Sequence, residues 1–351
     1  MEIKQQHPGT ILFFRMGDFY ELFHEDAEVA APVLGLALTS RDKNAKNPIP
    51  MAGFPWHALE DNLRIMLKSG FKVTVAEQEK ELREGAKLLE RVVTRIYTPG
   101  SLYEESLLNS SERSVLSSIV LAKSSLSMAI IDSSTGESWA STWMDDERFS
   151  SLEDELLRWN PAEIVISPKD AENDQLCTIF ANLSDCVISQ HSVNKKRRIE
   201  RLETILEVSD LGHLDLDNSP LSIEAAGFAA DYLAEVHFKQ DIPLRDLQIV
   251  EETGHLVVDQ TTLRNLEITN TLSGEYDGSL ISSMNYCRTA MGRRLMKTWL
   301  LRPLHQIEAI ELRHNAVKTL KSSSKRLDML RQSLNGFCLL YTSDAADECS
   351  G

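Results

Sequence analysis

The sequence predicts two α/β domains followed by an all-α segment. Three observations carry that expectation. Within residues 1–98, short β-like runs alternate with helical stretches. Residues 111–220 open as a strand meander and continue as helix and strand, whereas residues 221–336 are dominated by helical periodicity. Residues 99–110 form a linker between the first two regions.

The first region begins with an apolar strand, Thr10–Phe14, which Gly17 breaks. Asp18 is placed to cap a helix running through Ala31, with Glu21 completing a capping box. On that reading Phe19, Leu22, Phe23, Ala27 and Ala30 form one apolar helical face. The alternative is that Phe19 and Glu21 sit at the exposed mouth of the helix and touch a ligand; periodicity does not separate the two. Leu36–Arg41 is a second strand, and the polar loop Asp42–Asn47 leads into Pro48–Gly53, whose two prolines and glycine predict a fixed-shape loop. A helix over His57–Ser69 turns Leu59, Leu63, Ile65 and Met66 inward. Phe71–Glu77 and Arg91–Tyr97 then alternate as strands.

In the second region Ser114–Lys123, Ser127–Asp132 and Ser138–Trp143 read as a meander, with a hairpin turn at Thr135-Gly136-Glu137. Phe149–Trp159 is helical, Asn160-Pro161 stops it, and Glu163–Ser167 is a buried strand. Asp132, Asp145, Asp146 and Glu163 show no convergence of the kind a two-metal nuclease needs, and solvated carboxylates are the expected reading. The basic run Lys195–Arg198 is read as a solvated face, with a DNA or partner contact as the minority alternative. In the third region Ser222–Phe238, Met284–Leu301, Ile307–Lys321 and Arg326–Leu334 read as helices, with Arg293, Arg294 and Lys297 on a salt-bridged or solvated face.

Composition sets bounds. The 351 residues, 42% hydrophobic and 26% charged, describe an ordinary globular protein with room for two or three cores. No apolar run reaches membrane-spanning length, and the N-terminus has no signal-peptide core. The five cysteines lack C-x-x-C spacing, so they are read as reduced thiols of a cytoplasmic protein. A net charge of −16 argues against a nonspecific nucleic-acid binder, which needs clustered lysine and arginine. Residues 1–98 carry only −1 of it. There is no G-x-x-x-x-G-K-[ST] loop, and no Ser-His-Asp or Cys-His arrangement stands out.

The runs FFRMGDFYELF, LGLALTSR and NPIPMAGFPWHALE resemble the mismatch-recognition domain of the bacterial MutS family of DNA mismatch-repair proteins. RVVTRIYTPGSL, LRWNPAEIVIS, VVDQTTLRNLEITNTLSG and MGRRLMKTWLLRPL follow in the family's order, so the resemblance runs from about His7 to about Gly336. It implies a mismatch-recognition domain over residues 1–98, a ribonuclease H-like connector domain over 111–220, and the start of the helical core (lever) domain over 221–336. Residues 337–351 leave the family pattern and read as an adapter-derived tail. In the family HPGTILFFRMGDFYELF is normally preceded by a longer helical lead, so the chain is expected to be a fragment at both ends.

The resemblance also implies a site. Phe19 would wedge into the duplex from the minor groove and stack on a mispaired base, while Glu21 would share a hydrogen bond with that base. Mispairs unstack and kink at lower cost than paired steps, and a carboxylate near phosphates penalises docking on correct duplex. Arg41 matches a DNA-contacting position, Met16 and Met51 match positions near the wedge, and Lys43 and Lys46 are lesser candidates for phosphate contact. His57 is expected to be structural. The full-length family implies ATP and Mg2+, a homodimer, a MutL-type partner and a cytoplasmic, nucleoid-associated location; the fragment itself is expected to hold no cofactor and hydrolyse no ATP. The rival expectation is a protein-interaction scaffold that does not engage DNA, and apolar helix faces left unpaired by truncation are expected to be exposed.

Overall fold

Apolar runs punctuated by glycine and proline fold into two six-stranded sheets, followed by helices. The computed structural model describes residues 2–40, 47–78, 91–102, 107, 114–133, 135–183, 186–206, 220–238, 244, 246–250, 256, 258 and 260–334. The described residues fall into two compact units, one ending at Val250 and one following it. The α/β and then helical order is the one the sequence predicts.

The first sheet is built from β1 (Ile11–Met16), β2 (Phe19–Phe23), β3 (Thr39–Ser40), β4 (Pro50–Pro55), β5 (Val73–Gln78) and β6 (Arg91–Tyr97). Helix α1 (Glu2–Gln6) precedes it, α2 (Glu25–Leu34) follows β2, and α3 (Leu59–Lys68) follows β4 after a turn of 3-10 helix at Trp56–Ala58. The strand order is β3-β4-β2-β1-β5-β6, with β1 and β5 parallel. One face is closed. Phe13, Tyr20, Leu22, Phe54, Val73 and Val75 pack there against Ala27, Ala30 and Ala31 of α2 and Leu63, Met66 and Leu67 of α3.

Here the structure corrects the expected helix from Asp18 to Ala31. Gly17 (φ 61) and Asp18 make a two-residue hairpin turn, Met16 pairs with Phe19, and the helix starts only at Glu25. Glycine first with an ordinary φ at the second residue is the type II′ pattern that suits the twist of paired strands. Phe19 and Phe23 share a face at either period, whereas Leu22 joins them only on a helix. The strand prevails because β2 is paired on both sides, by β1 and β4, which satisfies its backbone groups. Pro48–Gly53 is likewise no loop throughout: Pro50 and Pro55 stand at the two ends of β4, where a missing donor costs least. Ile65 is 42% exposed, because the inward face of α3 runs through Asn62, Leu63, Met66 and Leu67.

The second sheet, ordered β11-β10-β7-β8-β9-β12, is covered on both faces. Its strands are β7 (Val115–Leu121), β8 (Ser125–Asp132), β9 (Glu137–Met144), β10 (Glu163–Ile166), β11 (Val187–Gln190) and β12 (Asp246–Ile249). Helices α4 (Arg148–Trp159) and α5 (Asp174–Ala181) supply Leu152, Leu156, Leu176 and Ile179 to one side, against Val115, Ile119, Met128, Ile130 and Ile164. Helices α6 (Lys195–Ile205) and α7 (Pro220–Val236) belong to the other side, where Phe228, Ala229 and Leu233 meet Leu116, Ala129, Ile131 and Val165. The meander and the Gly136 turn (φ 76) are as predicted.

Two expectations for this region hold only in part. Of the run Lys195–Arg198, the first three residues are exposed as expected, whereas Arg198 is buried, bonds Glu224 at 3.0 Å and lies 4.0 Å from the centre of the Phe228 ring. Arg197 pairs with the buried Asp231 at 2.9 Å, and Lys195 with Glu224 at 3.0 Å. Acids of α7 thus answer Lys195, Arg197 and Arg198, while Lys196 pairs with Glu200 of its own helix at 3.5 Å; α7 packs so close that a Cβ on Gly227 would lie 2.1 Å from the Arg198 carbonyl oxygen. Asp132 and Glu163 are fully buried rather than solvated, whereas Asp145 and Asp146 are exposed.

Glu163 joins the two sheets. Its carboxylate accepts from the Gly100 amide (3.2 Å), the Tyr232 hydroxyl (2.5 Å) and the Ser189 hydroxyl, with the Lys72 ammonium at 3.5 Å. Beside it, Arg95 of β6 and His237 after α7 both meet the Ser101 carbonyl, each at 3.1 Å.

The second unit contains α8 (Gln260–Asn265), α9 (Leu280–Met284), α10 (Ala290–Leu301), α11 (Ile307–Lys321) and α12 (Ser324–Leu334). The expected helix over Met284–Leu301 is divided, because Thr289 caps a fresh start by accepting from the Gly292 amide at 3.0 Å. Arg294 is buried, not solvated. Ile307, Leu312, Val317 and Met329 are exposed, as expected of helices with open apolar faces. The tail beyond residue 334 lies outside the described residues.

Candidate nucleic-acid interface

The open face of the first sheet is the candidate site. Along β2 the side chains alternate, so Tyr20 and Leu22 enter the core while Phe19, Glu21 and Phe23 point to the other side. Residues two apart on a strand share a face about 7 Å apart. F-x-E therefore presents an aromatic ring and a carboxylate together, on one side of a strand rather than at the mouth of a helix. Phe19 is 48% exposed, at the hairpin end of the strand.

Neighbouring strands fix what surrounds the pair. Phe19 lies across from Met16 on β1 and Pro55 on β4. Glu21 lies across from Phe14 and Gly53, and Phe23 from Met51. The immediate cross-strand neighbours of Phe19 and Glu21 are thus Met16, Phe14, Pro55 and Gly53, none of them charged. Gly53 has a definite role, since a Cβ there would lie 2.9 Å from the Tyr20 carbonyl oxygen and cover the strand beside Glu21. A carboxylate in such a setting is an acceptor when ionised and a donor when protonated, able to answer either kind of group on a base edge.

Beneath the pair the sheet is stiff. Tyr20 is held by a hydrogen bond from its hydroxyl to Glu77, and burial with that partner pushes its ionisation well above the ordinary tyrosine value. Phe13, Tyr20 and Phe54 pack edge-on or tilted with ring centres 4.9–6.5 Å apart.

The structure brings Phe19, Glu21 and Met16 together as one patch; Met51 sits one pair further along, against Phe23. Arg41, Lys43 and Lys46 lie outside the described residues. His57 is exposed in the short helical turn, its ring 6.2 Å from that of Trp56. Sequence reasoning passed over Arg91, which reaches the same open face: its guanidinium is 3.5 Å from the Met16 sulfur and 5.7 Å from the Phe14 ring centre. Strand parity could have found it, because Arg91 pairs with Gln78 at the edge of the sheet. Among the described residues no group of three or more His, Cys, Asp or Glu is placed to hold a metal ion, and no helix is long and apolar enough to cross a membrane.

Two α/β sheets and a helical unit, with an exposed aromatic ring and a half-buried carboxylate on one strand face, describe a modular protein with a candidate site on its first sheet. Residues 1–106 match the family described as MutS domain I, residues 114–244 MutS domain II, and residues 261–345 MutS domain III. The chain is 35% identical over 329 residues to the DNA mismatch repair protein MutS of Syntrophomonas wolfei, covering 92% of this chain and 38% of that one. It is 35% identical to the namesake of Acaryochloris marina (91% of this chain, 37% of that one) and 36% identical to that of Dehalococcoides mccartyi (90% and 36%). The chain belongs to the MutS family. It spans between a third and two fifths of the length of these relatives.

Proposed function

We propose that the chain recognises mispaired or unpaired bases in duplex DNA, using the open face of its first sheet. Phe19 is the wedge that enters from the minor groove and stacks on one base of the mispair. Glu21 hydrogen-bonds the same base. Met16 shapes the base of the wedge, Met51 extends the apolar face, and Arg41, Lys43 and Lys46 contact the DNA backbone. The observation that carries the reading is the exposure of Phe19 on the same strand face as Glu21, over a closed core that needs neither.

The energetics fit discrimination. Unstacking a paired step costs a few kcal/mol, which a mispair lowers, and stacking on an aromatic side chain returns about 1–3 kcal/mol per base. The near-neutral charge of residues 1–98 keeps backbone attraction modest, so that the base step decides. ATP with Mg2+, a homodimer and a MutL-type partner are carried over from the family for the full-length protein; residues 1–345 match domains I to III, and no ATP hydrolysis is expected of them.

A second reading, a protein-interaction scaffold that does not engage DNA, is favoured by the acidity of everything after residue 98. Equilibrium binding at low salt to a G·T-mispaired duplex and its matched control separates the two. A preference for the mispair that disappears in Phe19→Ala supports the wedge; equal affinity of both proteins for both duplexes supports the scaffold.

A further inference from the structure

We infer that Arg15 is a positioning residue for Phe19: it clamps the Gly17–Asp18 turn and thereby sets the angle at which the ring meets its target. This deepens the wedge reading and rests on it. Arg15 lies on β1 across from Tyr20, on the face opposite to Phe19. Its Nε donates to the Gly17 carbonyl oxygen at 2.5 Å, and its guanidinium carbon is 5.2 Å from the ring centres of both Tyr20 and Trp56. From the other side the Trp56 amide donates to the Asp18 carbonyl oxygen at 2.9 Å. Both turn carbonyls are therefore held, one by a planar cation between two rings and one by the chain leaving β4.

The tip needs such a hold. A two-residue turn with glycine at φ 61 is the softest backbone in the hairpin, and Phe19 is its first residue beyond the turn. A ring that must enter a base stack loses affinity if its support is loose, because ordering then occurs at the moment of binding. Arginine is the suitable residue type. Its Nε–H lies in the plane of a group that also stacks on aromatic faces, whereas lysine offers charge without that plane. The stack beneath is anchored, since Tyr20 bonds Glu77 and packs on Phe54.

The test uses the full chain with Arg15→Gln, Arg15→Lys and Phe19→Ala. Amide hydrogen exchange is read without DNA, and affinities for the G·T-mispaired and matched duplexes are read at low salt. A hydrogen bond to a charged group is strong enough to protect a turn by roughly tenfold. The expected result is roughly tenfold faster exchange of the Trp56 amide in both Arg15 variants. The Ile11 amide, bonded to the Lys72 carbonyl at 2.8 Å, should be unchanged. The ratio of mispair to matched affinity should fall roughly fivefold in both variants, with matched-duplex affinity within about twofold of the wild type.

An unchanged Trp56 amide overturns the clamp. A wild-type ratio in Arg15→Lys also overturns it, because charge alone would then be sufficient. If Arg15→Gln also loses protection at Ile11, the lysine variant carries the comparison. If Phe19→Ala keeps the wild-type ratio, the wedge reading fails and takes the angle-setting role with it; the exchange result still decides whether Arg15 holds the turn.

Discussion

The two sheets of the first unit have the same number of strands and opposite economies of burial. On β7, β8 and β10 nearly every residue is buried, with odd and even positions feeding separate cores under α4–α5 and α6–α7. On β1 and β2 burial alternates, and the apolar residues of the outer face are left over from the core. Apolar side chains on both faces of a strand ordinarily mean two covering layers. Among the described residues no second helical layer covers β1, β2 and β4, and the surplus there is the surface proposed for a ligand.

That contrast can be broken first by stability measurements. Ile130→Ala on β8 should cost about 2–5 kcal/mol in urea unfolding, as large-to-small changes in closed cores do. Gly227→Ala should cost about 3 kcal/mol, because its Cβ would meet the Arg198 backbone rather than a movable side chain. A tolerant result at either position would mean that the second sheet is less tightly covered than its burial indicates.

Acid probes the seam between the sheets. His237 is fully buried, and burial, together with the Arg95 cation, pulls its pKa from 6.5 down to about 4. The unfolded chain takes up that proton before the folded one does. Stability is therefore complete above about pH 6.5 and declines as the pH falls towards about 4, by about 3 kcal/mol in all. Urea midpoints measured across that window should fall with pH in the wild type and flatten in His237→Gln.

On the open face the effects should change in kind. Phe19→Ala should weaken mispair binding by about 1–3 kcal/mol, read from equilibrium titration. The same variant should leave unfolding stability within about 0.5 kcal/mol, since a half-exposed ring at a hairpin tip contributes little to the core. Glu21→Gln should be smaller still in stability while narrowing the difference between mispaired and matched duplex, because a neutral amide no longer penalises approach to phosphates. A large loss of stability in either variant would erase the distinction between the two sheets.

Much of this architecture was legible beforehand. The meander, α4, β10, α11 and the strand Arg91–Tyr97 announce themselves by alternation, helical spacing and clear stops such as Asn160-Pro161. The candidate pair was legible through resemblance, but its geometry was not. Phe19, Leu22 and Phe23 satisfy a helical period, and the strand that puts Leu22 on the opposite face is fixed by pairing with β1 and with the sequence-distant β4. Arg198 misled for a related reason: its acidic partner Glu224 stands on a different helix, out of reach of any local window.

The Glu163 junction has a mechanical meaning. A carboxylate saturated by donors from Lys72, Gly100, Ser189 and Tyr232 cannot let one go gradually, because each lost bond strands charge in a dry site. Gly100 leaves no slack either, since a single added carbon would sit 2.8 Å from the Glu163 side chain. The joint resembles a snap fastener more than a hinge, because its four donors converge on one buried carboxylate instead of lying along a line that could open one by one.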